Sequence, residues 1–464
     1  MDSKLNFKNV ILLTALALAL WFTLFPIEGH ADGFSHSAAV VFITLIFWST
    51  GALPPFLTGL LFFALVAVFK LIAPNILFSG FGSTAVWLII SGFIIGSAIS
   101  VSGLGKKLAF SIAPYLTASY PRLIGGLVAS AMLLGFVMPS SVGRSVVLIP
   151  IGMALAEQVG FSLGSNGRRG IATALALACN MPSFAILPSN IPNMILAGSS
   201  ETLFNIHYHY TEYLLLHFPV LGILKSLLIV LLVLWIFPAK ISSATGKHSP
   251  KPDEPFDSKI QKRVGIILGI TLLFWISDSL HGVNPAWVGL VTAIILLMPK
   301  WGVLAAKSFN SAIDFGTVIF VAAALGLGAL VNASGLGEYV GQAFSHLLPN
   351  TVENTFLNFM SLSLISTFTG LITTIPGVPT VLSPMAANFA EATGFSLPAV
   401  LMTQVIGFST VLFPYQVAPL IVAMQLSGER LAELLKITLP LALLTIVVLM
   451  PLDYLWWRLL GWIA

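Results

Sequence analysis

The sequence of 464 residues is 57% hydrophobic and only 8% charged, with a formal net charge of +4 and a mean hydropathy of +0.98. Soluble globular domains carry about 25% charged residues, so this chain cannot cover the surface of a soluble protein of its size. Its long apolar runs are continuous and do not alternate, which argues against a β-barrel. The single cysteine, Cys179, excludes an internal disulfide framework. Composition therefore predicts an all-α polytopic membrane protein and excludes soluble enzymes and disordered proteins.

The first apolar run follows Lys4 and Lys8 and covers residues 10–27. A signal peptide has the same order of charge and apolar residues, but this run is long for one and no A-x-A cleavage site follows it. We interpret it as a retained first span.

Apolar length predicts eleven transmembrane helices, because about 20 residues cross the hydrocarbon core of a bilayer. They are placed at residues 9–26, 37–50, 55–72, 84–101, 170–198, 213–237, 264–281, 285–299, 314–332, 397–425 and 432–457. Two further apolar stretches, 123–160 and 351–393, carry Gly, Pro, Ser or Thr near their middle. We predict that both are re-entrant hairpins, which enter and leave the membrane on one side and are surrounded by protein or a watery cavity.

The basic residues give the orientation. With the N-terminus in the cytoplasm and the C-terminus outside, seventeen of the 21 Lys and Arg residues fall on the cytoplasmic side. Lys70 and Arg458 fall outside, while Arg144 and Lys225 lie within membrane segments. The cytoplasmic set is Lys4, Lys8, Lys106, Lys107, Arg122, Arg168, Arg169, Lys240, Lys247, Lys251, Lys259, Lys262, Arg263, Lys300, Lys307, Arg430 and Lys436.

One long polar stretch, 238–263, divides the chain nearly in half. We interpret it as a solvated cytoplasmic connector, with lipid binding by its basic residues as the alternative. The predicted organisation is an N-terminal span and loop (1–36), a first repeat (37–237), this linker, and a second repeat (264–464).

The two halves share sequence. Residues 150–162, PIGMALAEQVGFS, align without gaps on 384–396, PMAANFAEATGFS, and the tetrapeptide SGLG occurs at both 102–105 and 334–337. Five predicted spans separate the two SGLG segments, so the copies lie on opposite sides of the membrane. An inverted repeat is typical of secondary transporters, whose binding site lies between the repeats. Duplication within a channel or a membrane enzyme is the alternative.

Four segments interrupt helical sequence at membrane depth: the hairpin tips at 138–145 and 373–380, and the following spans at 187–194 and 413–420. Proline frees a backbone carbonyl that can coordinate a cation, and the N-terminus of a half-helix can hold an anion. Isolated Ser and Thr residues in membrane helices usually bond to their own backbone, but here they cluster at related breaks. The predicted substrate-binding residues are Ser140, Ser141, Arg144, Asn193, Thr374 and Thr380. The predicted cation-binding residues are Ser140, Ser141, Pro188, Asn190 and Thr373.

Arg144 is the most informative single residue, because a charge at membrane depth needs a partner or an anionic ligand. The sequence places it on the non-helical tip of the first hairpin. A direct contact with a substrate anion is one reading. Pairing with Glu157, or a side chain that extends to the cytoplasm, is the other.

The remaining polar residues are assigned more ordinary roles. Lys225 is interpreted as packed against a neighbour or extended to the interface, and Asp314 as the start of a helix. His207 and His209 could hold a metal, although an exterior loop that merely contains them is favoured. No zinc-protease helix, phosphate loop, nucleotide fingerprint or catalytic triad is present in the sequence. We therefore predict that the chain is not an enzyme and binds no nucleic acid.

Residues 47–61, FWSTGALPPFLTGLL, resemble the W-W-x-T-E-x-x-P-x-x-x-T-x-L-L stretch of the divalent anion:sodium symporters, which carry di- and tricarboxylates and sulfate. Residues 78–93 and 102–109 are similar to the segment that follows in that family. The resemblance implies eleven spans with two hairpins, a homodimer in the bacterial inner membrane and an elevator-type movement. It also implies a small anionic substrate, with sodium as the candidate coupling ion and no other cofactor.

The tip motifs of that family are only partly kept. Its S-N-T motif, about ten residues before a proline, falls on Ser-Ser-Val at 140–142 and on Thr-Ile-Pro at 374–376. Some carboxylate exchangers of the family read S-N-T-A-R, and Arg144 falls on that arginine. The P-P-N motif matches Ile-Pro-Asn at 191–193 but reads Ala-Pro-Leu at 418–420, and Gly51 replaces the usual Glu.

These departures remove oxygen ligands that a hard cation would need. We therefore expect at most one sodium site, near Ser140, Ser141 and the 187–193 break. The alternative within transport is a proton-coupled or exchange carrier in which Arg144 takes the place of a lost cation.

Overall fold

The computed structural model describes residues 7–27, 29–30, 33–107, 117–241, 257–349 and 352–463. All regular structure in these ranges is helical. By length and composition alone, five helices can cross a membrane, or six if one pair bent by 115° counts as a single span, and five shorter apolar helices accompany them. The all-α membrane architecture is confirmed at this level. The count of eleven spans stays a prediction.

In the described residues of the first half there are twelve α-helices. They are α1 (Phe7–Leu24), α2 (Phe34–Thr50), α3 (Pro55–Val68), α4 (Pro74–Leu77), α5 (Ser79–Gly82), α6 (Thr84–Ser102), α7 (Tyr120–Gly135), α8 (Ser141–Gln158), α9 (Asn166–Ala178), α10 (Ile191–Phe204), α11 (Tyr210–His217) and α12 (Lys225–Ile236). A π-helical segment, Phe218–Leu224, joins the last two.

The described part of the second half, from residue 257 onward, has thirteen α-helices. They are α13 (Ser258–Ile276), α14 (Asp278–His281), α15 (Pro285–Leu297), α16 (Phe309–Ala312), α17 (Phe315–Ala333), α18 (Leu336–Ser345), α19 (Thr355–Thr373), α20 (Gly377–Leu382), α21 (Ala386–Thr393), α22 (Leu397–Phe408), α23 (Ala418–Ser427), α24 (Ala432–Leu444) and α25 (Met450–Leu459). A second π-helical segment, Thr445–Leu449, joins α24 to α25.

Both halves end with the same order of elements. A helix–turn–helix at each predicted hairpin (α7–α8, then α19–α21) is followed by a broken helix (α9–α10, then α22–α23) and by a long helix with a π-helical segment. This order agrees with a duplicated unit. The opposite orientation of the two units and the re-entrant course of the hairpins stay predictions.

Helices of each half pack against helices of the other half. Helix α6 of the first half packs against α15 of the second, and α17 packs in turn against α3. Gly59 makes the second contact close: a Cβ added there would lie 2.8 Å from the Cβ of Ala323. Helices α10 and α23, which follow the two breaks, lie against α20 and α8, the returning arms of the opposite hairpins. The tips and the breaks therefore meet where the halves meet.

Both broken helices start and stop for local reasons. Ser165 and Ser396 cap α9 and α22 by accepting the N–H of Arg168 at 3.4 Å and of Ala399 at 3.3 Å. The breaks themselves extend further than the sequence predicts, since the first starts at Cys179 and the second at Ser409. Short 3₁₀ turns at Pro182–Ala185, Leu187–Ser189 and Pro414–Gln416 carry the chain through them.

Candidate functional site

A cavity of 390 Å³ lies between the two halves. One wall is the second hairpin tip with residues from both breaks, and the opposite wall comes from the ends of α2, α3 and α17. The lining residues are Trp48, Pro55, Phe56, Phe184, Asn190, Ile191, Pro192, Asp314, Gly316, Thr317, Phe320, Thr374, Ile375, Pro376, Tyr415, Gln416, Val417, Ala418 and Pro419.

A smaller cavity of 60 Å³ adjoins it and holds the first hairpin tip, including Ser140 and Ser141. Asn190, Ile191 and Pro419 line both cavities. The two tips and the two breaks therefore surround one composite space, which we call the central site.

Three helices begin at the central site. They are α8 with 18 residues, α10 with 14 and α23 with 10, and the first residues of each line one or both cavities. A helix N-terminus presents unpaired N–H groups and a partial positive charge of about half an elementary charge. The central site is therefore suited to an anion through backbone groups alone.

No lysine or arginine lines either cavity in the part of the chain that the structure describes. The one charged lining residue is Asp314, whose carboxylate is used by the cap of α17: it accepts the N–H of Thr317 at 3.2 Å and its hydroxyl at 2.7 Å. Asp314 thus has the helix-start role that the sequence predicts, and the groups that line the site are otherwise neutral.

Gln416 is a lining residue that the sequence analysis does not single out. Its Oε1 accepts the N–H groups of Leu412 and Phe413 at 2.9 and 2.8 Å, and its backbone carbonyl accepts the N–H of Ile375 at 3.2 Å. Its Nε2 is buried and has no hydrogen-bond partner among the described residues. The amide of Gln416 is therefore fixed by its oxygen, and its unpaired nitrogen lies just beneath the cavity wall, beside Gly370 of α19.

Arg144 lies behind the first tip and is fully buried. Nε and Nη2 donate to the carbonyl of Cys179 at 3.0 and 2.8 Å, and Nη1 and Nη2 donate to the hydroxyls of Ser189 and Ser141, each at 2.9 Å. Nη1 also donates to the carbonyl of Met138. The guanidinium is thus surrounded by neutral oxygen atoms of the tip and the first break.

Two expectations about Arg144 are corrected by this geometry. It lies in the first turn of α8, where its N–H donates to the Ser140 carbonyl at 2.9 Å, because the Ser140 side chain caps the helix earlier than the sequence predicts. It neither extends to the cytoplasm nor pairs with Glu157, which forms an ion pair with Arg168 at 2.8 Å. A direct contact between Arg144 and an anion stays a prediction.

The other residues of the first half-site form a hydrogen-bonded group. The hydroxyls of Ser141 and Ser183 lie 3.3 Å apart, and Asn190 Nδ2 donates to Ser183 Oγ at 3.0 Å. Asn193 Nδ2 donates to the carbonyls of Ser183 and Ile186 at 3.0 and 2.9 Å. Asn193 therefore holds the break from behind and is not a lining residue, and neither is the buried Pro188.

The second tip is more constrained and less polar. Thr374 lines the larger cavity and has φ 64°, which is costly for a β-branched residue. Thr373 Oγ1 donates to the Thr369 carbonyl at 2.9 Å, and Thr380, fully buried, donates to the Pro376 carbonyl at 3.4 Å. Of the three predicted threonines, only Thr374 lines a cavity.

The sequence leaves alternatives open for Lys225 and for the loop with His207 and His209. Lys225 is 1% exposed, so it cannot extend to the interface, and its ammonium group donates to Ser409. His209 Nδ1 lies 3.6 Å from Asp278, and the described residues contain no group of three possible metal ligands, so the loop with His207 shows no metal cage.

The fold of the chain is shared with a solved transporter. The crystal structure of the YdaH transporter from Alcanivorax borkumensis superposes with a TM-score of 0.51 at 17% identity, over 83% of this chain and 87% of that one. This likeness concerns the fold.

Sequence relatives are found in several bacteria. A protein of Cupriavidus necator described as a membrane protein is 24% identical over 83% of this chain and 77% of its own length. The sodium-dependent dicarboxylate transporter SdcS of Staphylococcus saprophyticus is 22% identical over 82% of both chains. The L-tartrate/succinate antiporter of Shigella sonnei is 24% identical over 59% of this chain and 58% of its own.

A family model, described as the sodium:sulfate symporter transmembrane region, matches residues 4–463 and so nearly the whole chain. Two of the relatives described above carry functional names, one as a sodium-dependent dicarboxylate transporter and one as an L-tartrate/succinate antiporter. The family resemblance seen at residues 47–61, 78–93 and 102–109 is thereby confirmed. The chain belongs to the sodium:sulfate symporter family of integral membrane transporters.

Proposed function

We propose that this chain is a secondary active transporter of small anions, of the di- or tricarboxylate or sulfate-like class, in the bacterial inner membrane. The observation that carries the proposal is the convergence of three helix N-termini on the central site, without a basic side chain in its lining. Such a site attracts an anion through backbone dipoles, and no basic side chain in its lining holds the anion in a direct ion pair. That balance suits transport.

The size of the larger cavity, 390 Å³, lies within the range of small-molecule sites. Donors from both halves lie at or just beneath the cavity walls: the hydroxyls of Ser140, Ser141 and Thr374, and the unpaired amide nitrogen of Gln416. We propose that these groups contact the anion. Arg144, Asn193 and Thr380 act from behind them by holding the tips and the first break.

The substrate class follows the relatives, which transport dicarboxylates, tartrate or succinate according to their names. A dicarboxylate has an anionic group at each end, and the central site has helix N-termini from both halves of the chain. We therefore favour a dicarboxylate over sulfate. The other parts of the proposal are a homodimer and an elevator-type movement of the hairpins with the broken helices, as the family resemblance implies.

Sodium coupling and anion exchange are the two candidates for the driving force. A sodium ion at the first half-site would use the carbonyl and hydroxyl oxygens around the tip and the break, including those near Pro188 and Asn190. In this chain Arg144 donates to the carbonyls of Met138, Cys179 and Ser189 and to two hydroxyls. This observation favours exchange, with Arg144 as a cation that belongs to the protein. Sodium binding by Thr373 and the second tip stays a prediction.

If Arg144 takes the place of a sodium ion, the transport of the anion is coupled differently. A dissociable sodium ion leaves with the substrate, so the empty carrier can return without its charge. The charge of Arg144 stays at membrane depth, where an uncompensated charge costs several kcal/mol. The free-energy barrier for the return of the empty carrier is then raised, because no anion balances Arg144. The barrier for the loaded carrier is not raised. Exchange of one anion for another is the transport mode that this penalty favours.

The proposal is tested with purified protein in liposomes. Uptake of labelled succinate, malate, tartrate, citrate and sulfate is measured with a sodium gradient, a proton gradient or an internal counter-anion imposed one at a time. We expect dicarboxylate uptake that depends on internal dicarboxylate and changes little with sodium. Uptake driven by sodium alone would support symport instead, and no uptake of any of these anions would contradict the proposed function.

A further inference from the structure

Lys225 is a buried cation that the central site does not use. It begins α12, directly after the π-helical segment Phe218–Leu224, and its side chain is 1% exposed. Nζ donates to the backbone carbonyl of Ser409 at 2.6 Å and lies 3.3 Å from its hydroxyl. Helices α11 and α12 form one of the long apolar spans, so this ammonium group lies away from water.

Ser409 is the residue at which α22 ends, and α22 is the first part of the second broken helix. Cys179 has the same place at the end of α9, the first part of the first broken helix. Its carbonyl accepts two hydrogen bonds from Arg144. Each half of the chain therefore has a buried cation at the C-terminal end of its interrupted helix.

This placement is electrostatically favourable, because a helix C-terminus carries a partial negative charge on carbonyls that lack a helical partner. The two cations come from different elements, however. Arg144 belongs to the hairpin of its own half, whereas Lys225 comes from the last long helix of the first half and reaches the second half. A shared ancestral side chain does not explain both, so the common feature is the need for a positive charge at this position.

Asp453 supplies the negative charge near Lys225. It lies on α25, just after the other π-helical segment, and the two π-helical segments pack against each other. Asp453 is fully buried, neither carboxylate oxygen has a hydrogen-bond partner among the described residues, and it interacts electrostatically with Lys225. An unpaired carboxylate at this depth is costly unless a cation balances it.

We propose that the end of α22 is a monovalent-cation site whose occupant is the Lys225 ammonium group, with Asp453 as the balancing charge. The chemical class that the site accepts is a small monovalent cation, sodium or a primary ammonium ion, held by the carbonyl and hydroxyl oxygens of Ser409 with the Asp453 carboxylate as a nearby counter-charge. Together with Arg144, Lys225 then supplies a second internal cation. This inference rests on the proposed transport function and extends it to the second half-site.

The test removes the Lys225 side chain and then adds a free monovalent cation to replace its charge. In Lys225→Ala the ammonium group is lost, while Ser409 and Asp453 remain. We expect its dicarboxylate exchange in choline medium to fall roughly tenfold or more, because a buried carboxylate loses its balancing charge. Sodium or methylammonium added to both sides should restore part of the rate. Lys259→Ala, which removes an exposed lysine at the start of α13, is the matched control and should be unaffected.

A binding readout separates this inference from the proposed function. The melting temperature of Lys225→Ala in detergent should rise with sodium or methylammonium relative to choline, as expected for a ligand that binds the folded state. The wild type and the neutral double variant Lys225→Ala/Asp453→Asn should show no such rise. If the wild type transports no anion, the proposed function fails, and the melting experiment still tests the site.

Two results would overturn the inference. One is a Lys225→Ala protein that exchanges anions in choline at the wild-type rate. The other is a folded Lys225→Ala protein whose stability and exchange respond to none of the cations. If this variant can be purified in sodium or methylammonium but not in choline, the recovery itself supports the site. If it can be purified in none of the three salts while the double variant folds, Lys225 is a structural residue and the inference is wrong.

Discussion

The guanidinium of Arg144 holds the carbonyl of Cys179 with two hydrogen bonds, Nε at 3.0 Å and Nη2 at 2.8 Å. The two residues are 35 positions apart, one in the first turn after a hairpin tip and the other at the end of a half-helix. Their contact fixes the tip against the break. It also places a permanent positive charge beside the central site while leaving the cavity walls free of basic side chains.

Replacing Arg144 should show which role it has. Arg144→Lys keeps the charge but loses the planar fork that joins several acceptors, so we expect exchange to fall roughly tenfold or more. Arg144→Gln should abolish exchange with expression and folding intact. The exposed Arg122→Gln is the control.

The kinetics of Arg144→Lys distinguish a residue that contacts the anion from one that holds the hairpin tip. A direct anion ligand would chiefly raise KM, whereas a residue that holds the tip and supplies charge would chiefly lower the maximal rate. We expect the second result. Normal transport by Arg144→Gln, or its failure to fold, would mean that Arg144 has only a structural role.

Gln416 offers a test of the anion contact that preserves the fold. In Gln416→Glu the oxygen that accepts the N–H groups of Leu412 and Phe413 is kept, while the free donor becomes a second anionic oxygen. We expect KM for a dicarboxylate to rise by roughly tenfold or more, because a donor is replaced by a like charge. An unchanged KM would place the anion elsewhere. Gln342→Glu, at an exposed position on α18, is the control.

The response to sodium tests the composition of the first half-site. With its carbonyl oxygens already bonded to Arg144 and Asn193, we expect no cooperative sodium dependence of dicarboxylate exchange. The measurement is the initial exchange rate as sodium replaces choline at constant ionic strength. A sigmoidal rise with a Hill coefficient near two would contradict both the expected single site and the role of Arg144, since it requires two well-formed cation sites.

An ion-pair network joins the two halves near Glu429, whose side chain is 3% exposed. Its carboxylate lies 3.7 Å from Arg168 and 3.8 Å from Arg169, and it accepts the N–H of Gly164 at 3.0 Å. Glu429→Gln keeps the shape and removes the charge, so we expect the free energy of unfolding to fall by roughly 1–3 kcal/mol and the melting temperature to fall with it. The exposed Glu338→Gln should melt like the wild type. Equal melting temperatures for both variants would mean that the network adds no net stability.

The predicted orientation can be checked at the two ends of one helix. Ser258 begins α13, and Ser279 follows its far end within α14, and both are exposed. Because Cys179 is buried, single cysteines at these positions can be labelled selectively. We expect an impermeant thiol reagent applied to intact cells to label Ser279→Cys and to reach Ser258→Cys only after permeabilisation. Labelling of both from outside would contradict the predicted spans.

The positions of the breaks are predictable because proline and small polar residues encode irregular backbone locally. Residues 187–194 and 413–420 overlap both observed breaks for this reason. The partner of Arg144 is not predictable in this way, because its acceptors are mostly backbone carbonyls, which every residue has. A search for an acidic partner leads to Glu157, which pairs with Arg168 instead.

Long-range contacts cannot be predicted from the sequence for a similar reason. Lys225 and Ser409 are 184 residues apart, and nothing in either neighbourhood indicates that they meet. Gln416 has a signal that could be used: it lies two residues after Pro414 in the second break, as Asn190 lies two residues after Pro188 in the first. Both amide residues line the larger cavity.

The packing of helices from one half against helices of the other also affects the order in which the structure can form during translation. Helices α3 and α6 are synthesised before the linker, yet the surfaces they bury belong to α17 and α15, which follow it. During translation the first half therefore enters the bilayer before Ala323, the residue against which Gly59 packs, has been made. The surfaces of α3 and α6 are covered only after the second half has been inserted. Neither half is therefore expected to fold or function without the other.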